Sequence, residues 1–372
     1  MSAQLPLSTE IISLPADHFP CALATDETLD LMAIAGDGGW LTLYDFSGRV
    51  VRAELRLGPY ATHELAVLPR LHLCAAVCGA ASTVQLIDLA RGELGAVVPL
   101  DEAPAFLWAD EPTTTFFVAC RTKEISVVHA IDAVSGMVRQ SAPVGRAPIS
   151  MASDPELDVL FVANGWAPSV SRINMRTGTL IGETSLPSYP MEVIADDLTR
   201  QAFVIGGSAG LIVLESSTGQ IRQIVDAQTA FGSEDTYNFF PRRGMGLDAQ
   251  ANRLLVAFAR TQDEIPPCAI TLLDTRTLEV VHMRDLPGTA MGVWVHAGKH
   301  HAYILHQRRR REEGRSRREL TLDVLDSRTG DLLHREVVAR HPLSVVLAES
   351  RNQLFIADYD LKSVVCVEDR LP

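Results

Sequence analysis

Short apolar runs punctuate the chain: LMAIAG (31–36), LCAAVC (73–78), FFVAC (116–120), LFVAN (160–164), AFVIG (202–206), LLVAF (254–258), AYILH (302–306) and LFIAD (354–358). Their last residues are separated by 42, 42, 44, 42, 52, 48 and 52 positions. Each run is rich in Val, Ile, Phe and Ala and too short for a helix. That pattern predicts a strand buried on both faces. No long stretch of 3.6-residue period occurs, so no helices are expected.

A second signal follows each run by about ten residues. An acidic or amide residue opens a short turn containing Gly, as in Asp45 to Gly48, Asp88 to Gly92, Asp132 to Gly136, Asn174 to Gly178, Glu215 to Gly219 and Asp326 to Gly330. Asp274 to Leu278 is the same unit without its Gly. Asp and Asn bond their own backbone two residues on, and Gly supplies the positive φ of a hairpin turn. An apolar strand headed by Pro opens many units: PCALATD (20–26), PISMASD (148–154), PMEVIAD (190–196) and PLSVVLA (342–348). Four antiparallel strands in about 42 residues make the blade of a β-propeller.

From Pro20 to Asp369 the pattern resembles the YVTN-type β-propeller repeat family, in its LFVAN-like strand and D-x-x-T-G-like turn. The resemblance implies the fold and leaves the activity open. The Gly-His and Trp-Asp pair of WD40 repeats is absent. The last unit, 341–369, holds only three strands, whereas TEIISLP (9–15) precedes the first unit without partners. If TEIISLP supplies the missing outer strand, the ring closes without a bare edge. The expected fold is therefore all-β, a single β-propeller domain over 1–372 with eight four-stranded blades closed by the N-terminal strand. Seven blades is the alternative.

Composition narrows the partners. The 372 residues carry a formal charge of −13, which repels nucleic acid and anionic membrane. No apolar run reaches the ~18 residues of a membrane helix. The start lacks a basic, apolar secretory leader, so a cytoplasmic location is expected. Six Cys without CxxC spacing fit reduced, structural thiols. Cofactor, metal content and oligomeric state are open, and two or more of His18, His63 and His341 could together ligate a metal.

In a propeller the inner strands line a channel, and the loops entering them form the face where ligands bind. Polar residues at those entries are the candidates. His18, His63, Glu64 and His341 are the acid–base candidates, the three His from successive blades after closure. Arg146, Tyr189 and Glu192 are substrate-binding candidates from other blades. The insertion DAQTAFGSEDTYNFFPRR (226–243) adds Phe231, Tyr237, Phe239 and Phe240 beside Arg242 and Arg243. It reads either as a loop pinned by its Phe side chains or as a lid with guanidinium groups for an anion. TQDEIPP (261–267) is a second insertion.

The third insertion, QRRRREEGRSRREL (307–320), carries net +5 over 308–318 on an acidic body. Without aromatic residues to stack bases, it reads as a solvated hairpin tip. Asp37 to Trp40 is expected as a hairpin turn, and the pair His300-His301 as a surface turn. Two functions fit this reading. One is a binding or scaffolding protein that engages a protein partner or an anionic small molecule at the channel mouth. The other is a small-molecule enzyme of lactonase, cycloisomerase or lyase type, with a His/Arg/Glu site there.

Overall fold

The computed structural model describes residues 7–15, 18–59, 62–122, 125–232, 243–259, 268–312 and 315–372, with the backbone alone for 309–312 and 315–317. The described strands form eight four-stranded antiparallel sheets. The fold is an all-β, eight-bladed β-propeller. Blade one spans 20–56, two 65–99, three 103–144, four 148–185, five 192–225, six 245–286 and seven 289–339. Blade eight takes 342–369 and, as its outermost strand, Leu7–Ser13. That strand pairs with Ser363–Asp369 in unbroken register from Leu7↔Asp369 to Ser13↔Ser363. The expected closure by the N-terminal strand is observed.

The strands gather into two compact units. One comprises 1–148, 175–180 and 341–371, and the other 149–174 and 181–340. In the first, the opening strands of blades eight, one, two and three pack side by side in that order. In the second, blades four to seven follow one another likewise. The recurrent apolar runs are the second strands, and Val159–Asn164 and Gln201–Ile205 are buried at every residue. Outer strands such as Leu180–Ser185 are exposed or half-buried along their whole length. The core therefore lies between blades. Ile12 of the closing strand, for instance, packs in one cluster with Leu23, Met32, Phe355 and Val364.

The turn between first and second strands carries a signal that residue types conceal. Asp30, His72, Thr114, Asp158, Arg200, Asn252, His300 and Asn352 all have φ between 49° and 57°. Each immediately precedes a second strand, so every blade turns through one left-handed residue, and none of the eight is Gly. The carbonyls of six of them accept the amide that follows the third strand, as in Phe46 N–H to Asp30 O at 2.9 Å and Leu89 N–H to His72 O at 2.8 Å. Two turns of a blade are thereby tied together.

Four of these residues also reach the preceding blade: Asp30 accepts from Arg351 of blade eight, and three others hold carboxylates. The Nδ1 of His72 lies 2.9 Å from Asp26, Arg200 donates to Asp154 at 2.7 Å, and His300 Nδ1 lies 2.8 Å from Asp248. All three carboxylates are fully buried, so each needs such a partner. The turn expected at His300-His301 is present at His300, but the pair is not at the surface. His301 is buried, and His300 is the staple to blade six.

The Gly turns behave as expected at Gly92, Gly136, Gly178, Gly219 and Gly330, all with positive φ. In blade one the left-handed residue is Arg49, one position after Gly48, and in blade six it is Leu278. Gly38 and Gly39, at φ 77° and 79°, form the expected hairpin turn of blade one. One short α-helix, Ala227–Phe231, occurs where none was expected. Asp226 caps it by accepting from Thr229 N–H, and Gly232 ends it at φ 68°.

The Arg-rich insertion continues the sheet. His301–Glu312 and Arg315–Asp326 stay paired from His301↔Asp326 to Glu312↔Arg315. The neighbouring strands end their pairing at Gln307 and Leu320, so the hairpin beyond has two strands only.

Candidate functional site

The positions of His18, His63 and His341 lie at the entries of three adjacent opening strands in the first unit. Their side chains have different surroundings. His18 is 5% exposed, stacks on Trp40 at 4.9 Å and bonds Thr42 Oγ1 through Nδ1 at 3.2 Å. It fills a crevice with Leu14, Pro20, Ile34 and Gly36, and Arg56 lies 4.4 Å over the Trp40 ring. Stacking and a hydroxyl partner hold this imidazole against its own blade.

His341 is half-buried, with Nδ1 3.2 Å from Asp360 and its ring edge-on to Tyr359 at 5.9 Å. Tyr359 in turn meets Phe19 at 5.0 Å, and Lys362 lies 4.3 Å over Phe19. The aromatic pair thus bridges the entries of blades eight and one beside both histidines. His63 is exposed on the entry to blade two, and neighbouring Glu64 is half-buried.

Among the other candidates, Arg146 is exposed at the entry to blade four, and Tyr189 is 56% exposed at the entry to blade five. Glu192 is buried, and its Oε2 accepts the amides of Gly244 at 2.6 Å and Met245 at 3.0 Å. Burial pushes this carboxyl up to about 8, against the pull of the two amides and of exposed Arg243. Tyr237, Phe239, Phe240 and Arg242 lie outside the described residues, as does 261–267. Phe231 is fully buried against Phe258 at 4.9 Å, which pins the start of the 226–243 insertion into the core.

Two features were missed by reading only strand entries. Trp166 is 67% exposed in the turn between the second and third strands of blade four. Leu186 N–H donates to Pro168 O at 2.7 Å, joining the end of that blade's outer strand to the same turn. Tyr189, three residues further on, therefore emerges at the same end of the blade as Trp166. Two large aromatic groups stand in solvent there, and an isolated propeller core gains nothing from them.

The second feature is in blade three. His129 Nε2 lies 3.0 Å from Glu102 Oε2, and His129 Nδ1 lies 2.8 Å from Ser141 Oγ. Cys120 completes the group, with donor atoms of Glu102, Cys120 and His129 all within 4.8 Å of one another. Among the described residues, this set has the donors a metal ion uses.

Other buried ionic groups read as structural. Burial by itself would raise the Asp323 carboxyl, but the two 2.6 Å bonds from Arg335, with His306 alongside, hold it below the usual range. No helix among the described residues is long and apolar enough to cross a membrane.

No family model matches this chain, and no curated protein matches it. Among solved structures the chain is similar to Sqt1 of Saccharomyces cerevisiae, with a TM-score of 0.74. The two are 13% identical over 98% of this chain and 100% of that one. It is also similar to BamB of Moraxella catarrhalis, with a TM-score of 0.66 and 11% identity over 97% and 99% of the two chains. At such identity the likeness shows the fold alone. The resemblance to YVTN-type repeats likewise stays at the level of the fold.

Proposed function

We propose that this chain is a binding or scaffolding β-propeller that engages a protein partner through the face where connecting segments enter the inner strands. The observation that carries the proposal is the exposure of Trp166 and Tyr189 at one end of blades four and five. Trp and Tyr are the residues that most often anchor protein interfaces, because they bury a large area at little conformational cost. Fold-level likeness is compatible with this reading and does not select it.

The test is paired capture with the full chain and the double variant Trp166→Ala/Tyr189→Ala. Both side chains are solvent-exposed, so the variant should melt with the parent. Photo-crosslinking from position 166 should give discrete protein adducts that compete with unlabelled parent but not with the variant. Equal competition by the variant would remove this face from the binding surface.

The second reading, a small-molecule enzyme of lactonase, cycloisomerase or lyase type, rests on Glu192. A buried carboxyl raised towards neutrality near a guanidinium is a group suited to acid–base work. Arg243 is its proposed companion in the same unit. His18, His63, Glu64 and His341 are proposed as acid–base residues and Arg146 as a binding residue of the other unit, and a cytoplasmic location and a single domain are proposed as well.

A further inference from the structure

We propose that Glu102, Cys120 and His129 form a binding site for a zinc-type divalent cation, with its fourth position open towards solvent. The three residues reach one place through strand register. Cys120 lies on Thr115–Arg121 opposite Val127, and His129 lies two residues beyond Val127 on Ser126–Asp132. Alternation along paired strands puts Cys120 and His129 on the same face of blade three. That face packs on blade two, where Cys120 shares a cluster with Val84, Leu86 and Val98. Glu102 comes from the segment crossing between the two blades and covers the group from its edge.

Charge and donor chemistry favour the cation. Glu102 and Cys120 as anions, with neutral His129, exactly balance a divalent charge, which makes burial of the set affordable only as a neutral centre. A thiolate, an imidazole and a carboxylate match zinc and its neighbours rather than magnesium or calcium. Tetrahedral bonds of about 2.0–2.3 Å place donor atoms roughly 3.3–3.7 Å apart, so the 3.0 Å His129–Glu102 contact needs to open only slightly. On binding, the Cys120 thiol releases its proton to solvent. The imidazole keeps one proton at Nδ1, donated to Ser141 Oγ, and offers Nε2 to the ion. Ser141 is thus a positioning residue. Cys120 is fully buried and His129 8% exposed, whereas the Glu102 side chain is 26% exposed, so the open position lies on the Glu102 side.

The test uses the full chain and Co2+ as probe, with Zn2+ as competitor. Cobalt should produce a cobalt–thiolate charge-transfer band that zinc abolishes. Cys120→Ser should lose the band, whereas Cys366→Ser, a buried thiol elsewhere, should keep it. Glu102→Gln changes a half-exposed side chain without altering its size, so it should melt with the parent and weaken cobalt binding by about tenfold or more. Absence of the band in the parent, its survival in Cys120→Ser, or unchanged affinity in Glu102→Gln would each overturn the site.

Discussion

Single residues in this protein act mostly through buried charge, and Glu192 is the case with a measurable consequence. Its carboxyl titrates near 8 in the folded chain, against 4.5 ordinarily. Between those values the native state holds a proton that the unfolded chain has lost. Stability must therefore decline as pH rises from about 4.5 towards 8. Glu192→Gln retains an oxygen for the Gly244 and Met245 amides and removes the titration. Melting temperatures taken from pH 5 to 8.5 should fall for the parent and stay flatter for the variant. Parallel curves would mean that Glu192 is ionised throughout.

The same scale shows what residue types reveal and what they hide. Asp132 and Gly136 announce their turn because both have conformational preferences of their own. Arg49 and Leu278 occupy the same left-handed position without any preference for it, so the neighbouring Gly48 drew the expectation one place too early. Leu278 is 7% exposed and packs in the core of blades five and six, and this burial offsets its backbone strain. His129 gave no local signal either. Its partners Glu102, Cys120 and Ser141 lie 27, 9 and 12 positions away, and only counting register across three strands brings them together.

Among the elements, the closing strand has the largest expected effect. Leu7 and Ile12, on opposite faces of the strand, are buried, while Ile11 between them is 59% exposed. Removing residues 1–15 leaves Ser363–Asp369 as a bare edge and uncovers the cluster around Phe355 and Val364. A drop in melting temperature of about 10 °C or more, with aggregation, is expected. The partnerless TEIISLP and the three-stranded last unit made this closure legible from sequence.

The Arg-rich hairpin is the opposite case. Beyond Gln307 and Leu320 it has no third strand, so little of the sheet depends on it. Replacing 308–319 by a short Gly/Ser turn should move the melting temperature by no more than about 2 °C. A larger loss would show that the hairpin supports the blade. Its length as paired strand was not legible, because Arg and Glu runs have weak strand preference and read as loop.

For the whole molecule, the thiols offer a direct measure of how tightly the blades stay closed. All six cysteines are free and buried. Burial raises every one of them, Cys21 to about 11 and Cys74, Cys120 and Cys366 to about 12, with a nearby acidic charge adding to the shift at Cys21, Cys120 and Cys366. Since the thiolate is the reactive form, the native protein should leave a disulfide reagent almost untouched at pH 8, and denaturant should release all six groups. Rapid labelling of the native chain would contradict the packing described between blades.

The register of the closing strand also has a mechanical consequence. Leu7 faces Asp369 and Ser13 faces Ser363, so the chain leaves the blade at neighbouring points on the same end. Force drawn through those two points loads the Leu7↔Asp369 pair first and the others in succession. Such a seam peels like a zipper, at the strength of one pair, whereas strands pulled from opposite ends resist with all their bonds at once. The blade that completes the fold is therefore also its weakest point under tension.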